Sequence, residues 1–115
     1  MKKLRVWWVP QFGMGKSFYI PVTSPEEAKK VMDILGAYDA FQLENRIKPD
    51  YCNTGGLEEY DPETGEWNDW YYETDEEYFD NVDDYCESCS KAAELENFST
   101  EIFNQIDWKK IDELT

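Results

Sequence analysis

The sequence predicts an α+β fold: a small antiparallel β-sheet with helices packed on it, in the order β-β-α-β-β-α-α. Three observations lead there. Short runs rich in Val, Ile, Tyr and Trp are bounded by Pro and Gly, as strands are. Ser24-Pro25-Glu26-Glu27 is a helix start, followed by apolar side chains at helical spacing. Asp61-Pro62-Glu63-Thr64-Gly65 is a turn between two aromatic runs.

Leu4-Arg5-Val6-Trp7-Trp8-Val9 is β-rich and stops at Pro10. Gln11 to Ser17 is a glycine-containing loop, and Phe18-Tyr19-Ile20-Pro21-Val22 is a second strand, so the two form a hairpin with an open loop. Pro21 has no N–H for a ladder, which assigns that strand to an edge or a strand end. The helix that follows has Ser24 as its cap, Pro25 at the first helical position and Glu27 completing a capping box. Ala28, Val31, Met32, Leu35, Tyr38 and Phe41 form its apolar face, and it runs to about Asn45. Gly36 is tolerated inside it at roughly 1 kcal/mol. Ile47-Lys48-Pro49-Asp50 ends the helix, and Asn53-Thr54-Gly55-Gly56 reads as a loop.

Leu57–Tyr60 and Glu66–Tyr71 are the strands of a second hairpin. Its turn has Pro62 to preset φ and Gly65 to accept a left-handed conformation. Period-two alternation puts Trp67, Asp69 and Tyr71 on one face and Asn68, Trp70 and Tyr72 on the other. Thr74-Asp75-Glu76-Glu77 is a second capping box, and it predicts a helix beginning near Asp75 that carries Tyr78, Phe79, Val82 and Tyr85. Ser90 or Ser99-Thr100 are candidate starts for further helical pieces. Phe98, Ile102, Phe103, Ile106 and Ile111 give residues 91–115 an amphipathic stripe.

At 115 residues, with 41% apolar and 17% aromatic side chains, residues 1–115 are expected to form one domain with a small core of large side chains. No apolar run reaches ~18 residues, and the basic start Met1–Arg5 lacks the apolar stretch of a signal peptide. The expected location is a cytoplasm, with no membrane partner. Three cysteines argue against a disulfide framework. A net charge of −15 argues against nucleic-acid binding, because phosphates are repelled.

The local motifs carry little chemistry. Gly13-Met14-Gly15-Lys16-Ser17 resembles the end of a phosphate-binding loop, but the loop's earlier glycine is replaced by Pro10 and a strand-like run follows where a helix is required. Cys86 and Cys89, with Cys52 upstream, fall short of four zinc ligands in a chain without His, and an acidic setting raises thiol pKa. Asp80, Asp83, Asp84 and Glu87 lack the alternation and glycine of a calcium loop, so they read as a solvated helix face. Asn97-Phe98-Ser99 is formally a glycosylation acceptor, which a cytoplasmic chain does not use. No nucleophile stands beside a base, and no cofactor turn is present. The expectation is therefore a protein that is not an enzyme and needs no metal or cofactor.

The dominant feature is the distribution of charge. Residues 49–90 hold fifteen of the twenty-six carboxylates and no Lys or Arg, whereas residues 1–48 are mildly basic. Disordered acidic segments are poor in aromatics; this one is rich in Tyr and Trp, which points to a folded surface. Such a block is a solubilising surface, a binding face for a basic protein, or a mimic of DNA. For the binding face, the charge-bearing candidates are Glu58, Glu59, Glu66, Asp69, Glu73, Asp75, Glu76, Asp80, Asp83 and Asp84. Trp70 and Tyr72 are the candidate exposed anchors.

Four strings carry a family resemblance: Leu4-Arg5-Val6-Trp7-Trp8-Val9-Pro10-Gln11, Ala37-Tyr38-Asp39-Ala40-Phe41-Gln42, Ile47-Lys48-Pro49-Asp50-Tyr51-Cys52-Asn53 with Gly55-Gly56-Leu57, and Trp67-Asn68-Asp69-Trp70-Tyr71. Together they resemble a family of small acidic proteins of tailed bacteriophages, commonly labelled superinfection-exclusion proteins. The resemblance covers most of residues 3–90 and brings no catalytic or ligand residues. It implies a phage accessory protein acting in the host cytoplasm by binding and blocking a basic host or competitor-phage protein. The alternative is a sponge for a small nucleotide signal of host defence. Its phosphate-binding cations would have to come from Arg5, Lys16, Arg46 and Lys48.

Overall fold

A computed structural model describes residues 3–10, 16–46 and 53–114. Four strands, β1 (Leu4–Val9), β2 (Phe18–Val22), β3 (Thr54–Asp61) and β4 (Glu66–Asp69), form an antiparallel sheet in the order β2-β1-β3-β4. The long helix α1 (Pro25–Glu44) lies between this sheet and three shorter helices, α2 (Val82–Ser88), α3 (Ala92–Phe103) and α4 (Trp108–Leu114). A two-stranded hairpin, β5 (Tyr72–Glu73) and β6 (Tyr78–Phe79), links the sheet to α2. The architecture is α+β as the sequence predicts, with one hairpin and one helix more.

The first hairpin, the edge position of the Pro21 strand and the bounds of α1 agree with the sequence reading. Ser24 Oγ accepts the Glu27 N–H at 3.1 Å, as a cap should. The Glu27 carboxylate turns back to the Thr23 backbone and hydroxyl, one residue earlier than a capping box requires. At the other end, Asn45 Nδ2 donates to the Phe41 carbonyl, and Arg46 takes a left-handed conformation at φ 58°.

Alternation along β1 points Leu4, Val6 and Trp8 into the core and Arg5, Trp7 and Val9 to the other side of the sheet. The main core joins Leu4, Val6, Val22 and Leu57 of the sheet to Ala28 of α1, Trp70, Val82 and Cys86 of α2, and Leu95 of α3. A second cluster joins Ala40 and Leu43 to Ile106 and Ile111, and so fastens the C-terminal segment to the end of α1. Two charged groups are buried in α1. Asp39 accepts a hydrogen bond from the Asn53 side chain, which holds the entry to β3 against the helix. Asp33 receives Lys29 Nζ at 3.0 Å on both oxygens, and the same ammonium reaches Asp83 of α2 at 3.3 Å. Burial lowers the Lys29 pKa, but these two carboxylates outweigh it, and the net shift is upward.

Three expectations are corrected. Thr54-Gly55-Gly56 is the first part of β3, not a loop. The glycines are needed there because the β1 indoles lie across the strand. A Cβ on Gly55 would collide with the Trp8 ring, and one on Gly56 would sit 2.7 Å from Trp7 Nε1.

Second, no helix starts near Asp75. Thr74 Oγ1 accepts the Glu76 and Glu77 N–H groups, and the Thr74 N–H donates to the Glu77 carbonyl at 2.8 Å, which closes the turn of the β5–β6 hairpin. A Thr-x-x-Glu string makes these local bonds in a turn as well as at a cap. Cross-strand aromatic contacts decide for the hairpin, with Tyr72 paired to Phe79 and both against Tyr85. Asn81 supplies the real cap of α2, its side chain accepting the Asp83 and Asp84 N–H groups.

Third, neither Ser90 nor Ser99-Thr100 starts a helix. α3 begins after Lys91 without a side-chain cap, and Ser99 and Thr100 lie inside it.

Candidate functional site

Two cations lie over aromatic rings on the outer face of the sheet: Lys3 Nζ stands 5.4 Å from the Tyr60 centroid and 5.8 Å from that of Trp67, and Arg5 lies closer to its rings. The Arg5 guanidinium lies 3.8 Å from the Tyr19 ring centroid and 4.1 Å from that of Trp67, and its Nε donates to Glu58 Oε1 at 2.8 Å. Cross-strand register explains the cluster: Arg5 stands opposite Glu58 on β3, and Trp67 lies on β4 in the same layer. Glu58 therefore serves as the counterion of Arg5, and the guanidinium is not presented to a phosphate. Tyr60 and Trp67 extend this layer with tilted rings at 5.2 Å.

Beyond β4 the carboxylates gather around two grooves. The first, about 430 Å³, lies where β3 runs past the end of β4, and Asp69, Asp80 and Asp83 stand on it with Tyr71 and Tyr78. The two tyrosines are more than half exposed, at 52% and 59%, and stack at 6.1 Å with 29° between their planes. The second, about 740 Å³, runs along β5 and is lined by Glu59, Tyr72, Glu73, Asp75 and Tyr85 among others. Burial and the nearby Glu26 raise the Tyr85 pKa, so its hydroxyl stays neutral.

The sequence-predicted acids thus have different fates. Asp69, Asp80 and Asp83 meet at the first groove, although Asp83 is also bound to Lys29. Glu59, Glu73 and Asp75 meet at the second. Glu66, Glu76 and Asp84 are exposed but line neither, and Glu58 pairs with Arg5. Tyr72 is exposed to 37% and edges the second groove. Trp70 is not an exposed anchor. It is 6% exposed, in the main core, with its ring edge-on to Tyr85 at 5.6 Å. Its N–H still bonds the Leu57 carbonyl at 3.0 Å, so the alternation of β4 carries its side chain inward. The same alternation carries Tyr71 outward, and Tyr71 and Tyr78 are the aromatic residues that sequence reasoning missed. Alternation ties the two positions, since a strand that buries Trp70 must expose Tyr71, but does not say which is inside.

Elsewhere, Cys86 is buried in α2 and its thiol points to the Pro25 carbonyl at 3.9 Å. Burial first, and then the neighbouring Cys89 and Glu26, push its pKa up to about 12, where a thiol is inert as ligand or nucleophile. Among the described residues no three His, Cys, Asp or Glu side chains are grouped as a metal site would group them. Cys52 and Lys48 lie outside the described residues, as does most of the Gly13–Ser17 motif. Lys16 and Ser17 are described, and β2 follows them directly, not a helix. Arg46 lies with Lys109 and Lys110 in a shallow cleft that also holds Asp107 and Glu113, so its cations are largely offset. No described helix is long and apolar enough to cross a membrane.

Known proteins match this chain as follows. A family described as superinfection exclusion gene product 17 matches residues 3–91. The superinfection exclusion protein of Salmonella phage P22 is 43% identical over 97 residues, a match covering 75% of this chain and 91% of that protein. No solved structure matches significantly. The resemblance read from the four strings is thereby borne out, and the chain belongs to the superinfection exclusion gene product 17 family.

Proposed function

We propose that this chain is a non-enzymatic phage protein of superinfection exclusion, and that it works in the host cytoplasm by binding a basic host or competitor-phage protein. The observation that carries the reading is the acidic aromatic face of residues 58–85. Asp69, Asp80 and Asp83 stand on one groove and Glu59, Glu73 and Asp75 on the other, and no Lys or Arg interrupts the sequence of this face. Like charges held together on a fixed surface produce a field that steers an oppositely charged partner and rejects phosphates. The aromatic rims at Tyr71, Tyr72 and Tyr78 add area that desolvates well. Gathering of the acids around grooves supports recognition of protein side chains more than imitation of a phosphate row.

The test is an exclusion assay. Host cells expressing the chain should resist plating by a related phage, and a variant with Glu73→Gln, Asp75→Asn, Glu76→Gln, Asp80→Asn and Asp84→Asn should lose that resistance while keeping its fold. Full resistance from this neutralised variant would refute the reading.

A further inference from the structure

We propose that the smaller groove, between the free edge of β3 and the Tyr71–Tyr78 pair, is the receptor for an extended partner segment carrying an arginine or lysine. The segment adds to the β3 edge, and its cation sits among Asp69, Asp80 and the two tyrosines. This rests on the reading of the acidic face as a protein-binding surface and names the chemistry of its occupant.

The backbone of β3 offers a free edge at the groove. β4 pairs with β3 only from Glu58 to Asp61. Beyond it the Trp70 N–H takes the Leu57 carbonyl, and among the described strands none lies outside Thr54–Gly56. Successive residues of a strand direct their N–H and C=O to opposite sides. Tyr60 directs its N–H to Lys3 at the β1 side, and Leu57 directs its carbonyl to the outer side. Gly55 therefore turns its N–H and C=O outward, into the groove that it lines. Unpaired strand edges accept an added strand through such groups. With hydrogen in place of side chains at Gly55 and Gly56, that edge is approachable. The two positions are glycine already because Trp7 and Trp8 need the room on the sheet's own faces.

Among the described residues Asp69, Asp80 and Asp83 line the groove and no Lys or Arg does, so an anion is repelled and a cation attracted. Asp83 shares its charge with Lys29, whereas Asp69 and Asp80 are in no ion pair among the described residues. The stacked, exposed Tyr71 and Tyr78 rings offer π-faces beside those carboxylates, the setting in which an arginine gains both ion pairing and cation–π attraction. A volume of about 430 Å³ matches roughly a dozen waters, enough to hold a long side chain with part of its backbone.

The experiment titrates the nitrogen-15-labelled chain of residues 1–115 with the peptide Thr-Val-Arg-Val-Thr, capped at both ends, and with the same peptide carrying neutral citrulline for arginine. The arginine peptide should shift the amides of Gly55, Leu57, Tyr71 and Asp80 and the Trp7 indole N–H. The citrulline peptide should bind roughly tenfold more weakly or worse, the loss expected of a charge-assisted hydrogen bond. The double variant Asp69→Asn with Asp80→Asn should show the same loss. Both side chains are exposed, so the fold survives, and the dispersion of the variant's spectrum checks that. Equal binding of the two peptides, or shifts that avoid these amides, overturns the groove as receptor. If in addition the five-site neutralised variant has lost exclusion, the broader reading stands without the groove. If exclusion survives in both variants, the broader reading falls as well.

Discussion

Replacing Trp70 with alanine distinguishes a core tryptophan from a binding anchor. Trp70 is 6% exposed and packs with Leu4, Val6, Leu57, Val82 and Leu95. An aromatic ring of this class buries ~150–250 Å², and at ~25 cal/mol per Å² its loss removes roughly 4–6 kcal/mol of transfer free energy. Large-to-small core substitutions of this type measure ~3–5 kcal/mol, and the edge-on contact with Tyr85 belongs to that total. A domain of this size has ~5–15 kcal/mol to lose. The expected result is an unfolding free energy from urea denaturation reduced by about 4 kcal/mol and a melting temperature lowered by roughly 15–20 °C. Tyr71→Ala, one residue away and 52% exposed, is the matched control and should change stability by less than about 1 kcal/mol. If Trp70→Ala melts within a few degrees of the parent, or Tyr71→Ala is the more damaging, the inward register of β4 is wrong, and the first groove is wrong with it.

Gly56→Ala should cost about 1–3 kcal/mol in chemical denaturation, because the new methyl meets the Trp7 indole and that ring must move. Loss of the native indole environment in near-ultraviolet circular dichroism would accompany it. At pH 8 Cys86 should react with iodoacetamide about a thousandfold more slowly than an ordinary thiol, since its pKa is raised from 9.0 to about 12; peptide mapping reads the site directly. The same shift links to stability. With a folded pKa above the unfolded one, the contribution of Cys86 is fully present below about pH 9 and declines as pH rises toward 12, so a denaturation series from pH 8 to 11 should fall. Lys29→Met removes the ammonium that joins α1 to α2 and leaves the buried Asp33 without it. A loss of about 2–3 kcal/mol is expected, recovered in part by Asp33→Asn in the same chain, as a double-mutant cycle would show.

The elements that local chemistry specifies alone were legible in the residues. Ser24-Pro25 starts α1, Pro21 sets the sheet edge, and Pro62 with Gly65 closes the β3–β4 turn. The family membership was legible too, because it is carried by strings. The candidate site was legible as composition, since six of the predicted carboxylates, Glu59, Asp69, Glu73, Asp75, Asp80 and Asp83, line the two grooves. Its aromatic members were not. Between Glu66 and Tyr72, acids and aromatics flank both faces, so alternation alone gives two registers and does not say which is inside. Trp70 joins the core cluster of Leu57, Val82 and Leu95, and Tyr71, next along the chain, is exposed.

The charge block, the α+β class, the first hairpin and the long helix are written in the residues, because composition or neighbours within a few positions set them. Other features depend on contacts between distant residues. Thr74–Glu77 forms a turn because Tyr72, Phe79 and Tyr85 meet. Gly55 and Gly56 belong to a strand because two tryptophans from β1 lie across them. The acidic block borders the first groove because β4 ends at Asp69 and leaves the edge of β3 open. Local hydrogen bonds were compatible with either outcome at each place, and burial of large aromatic rings made the choice.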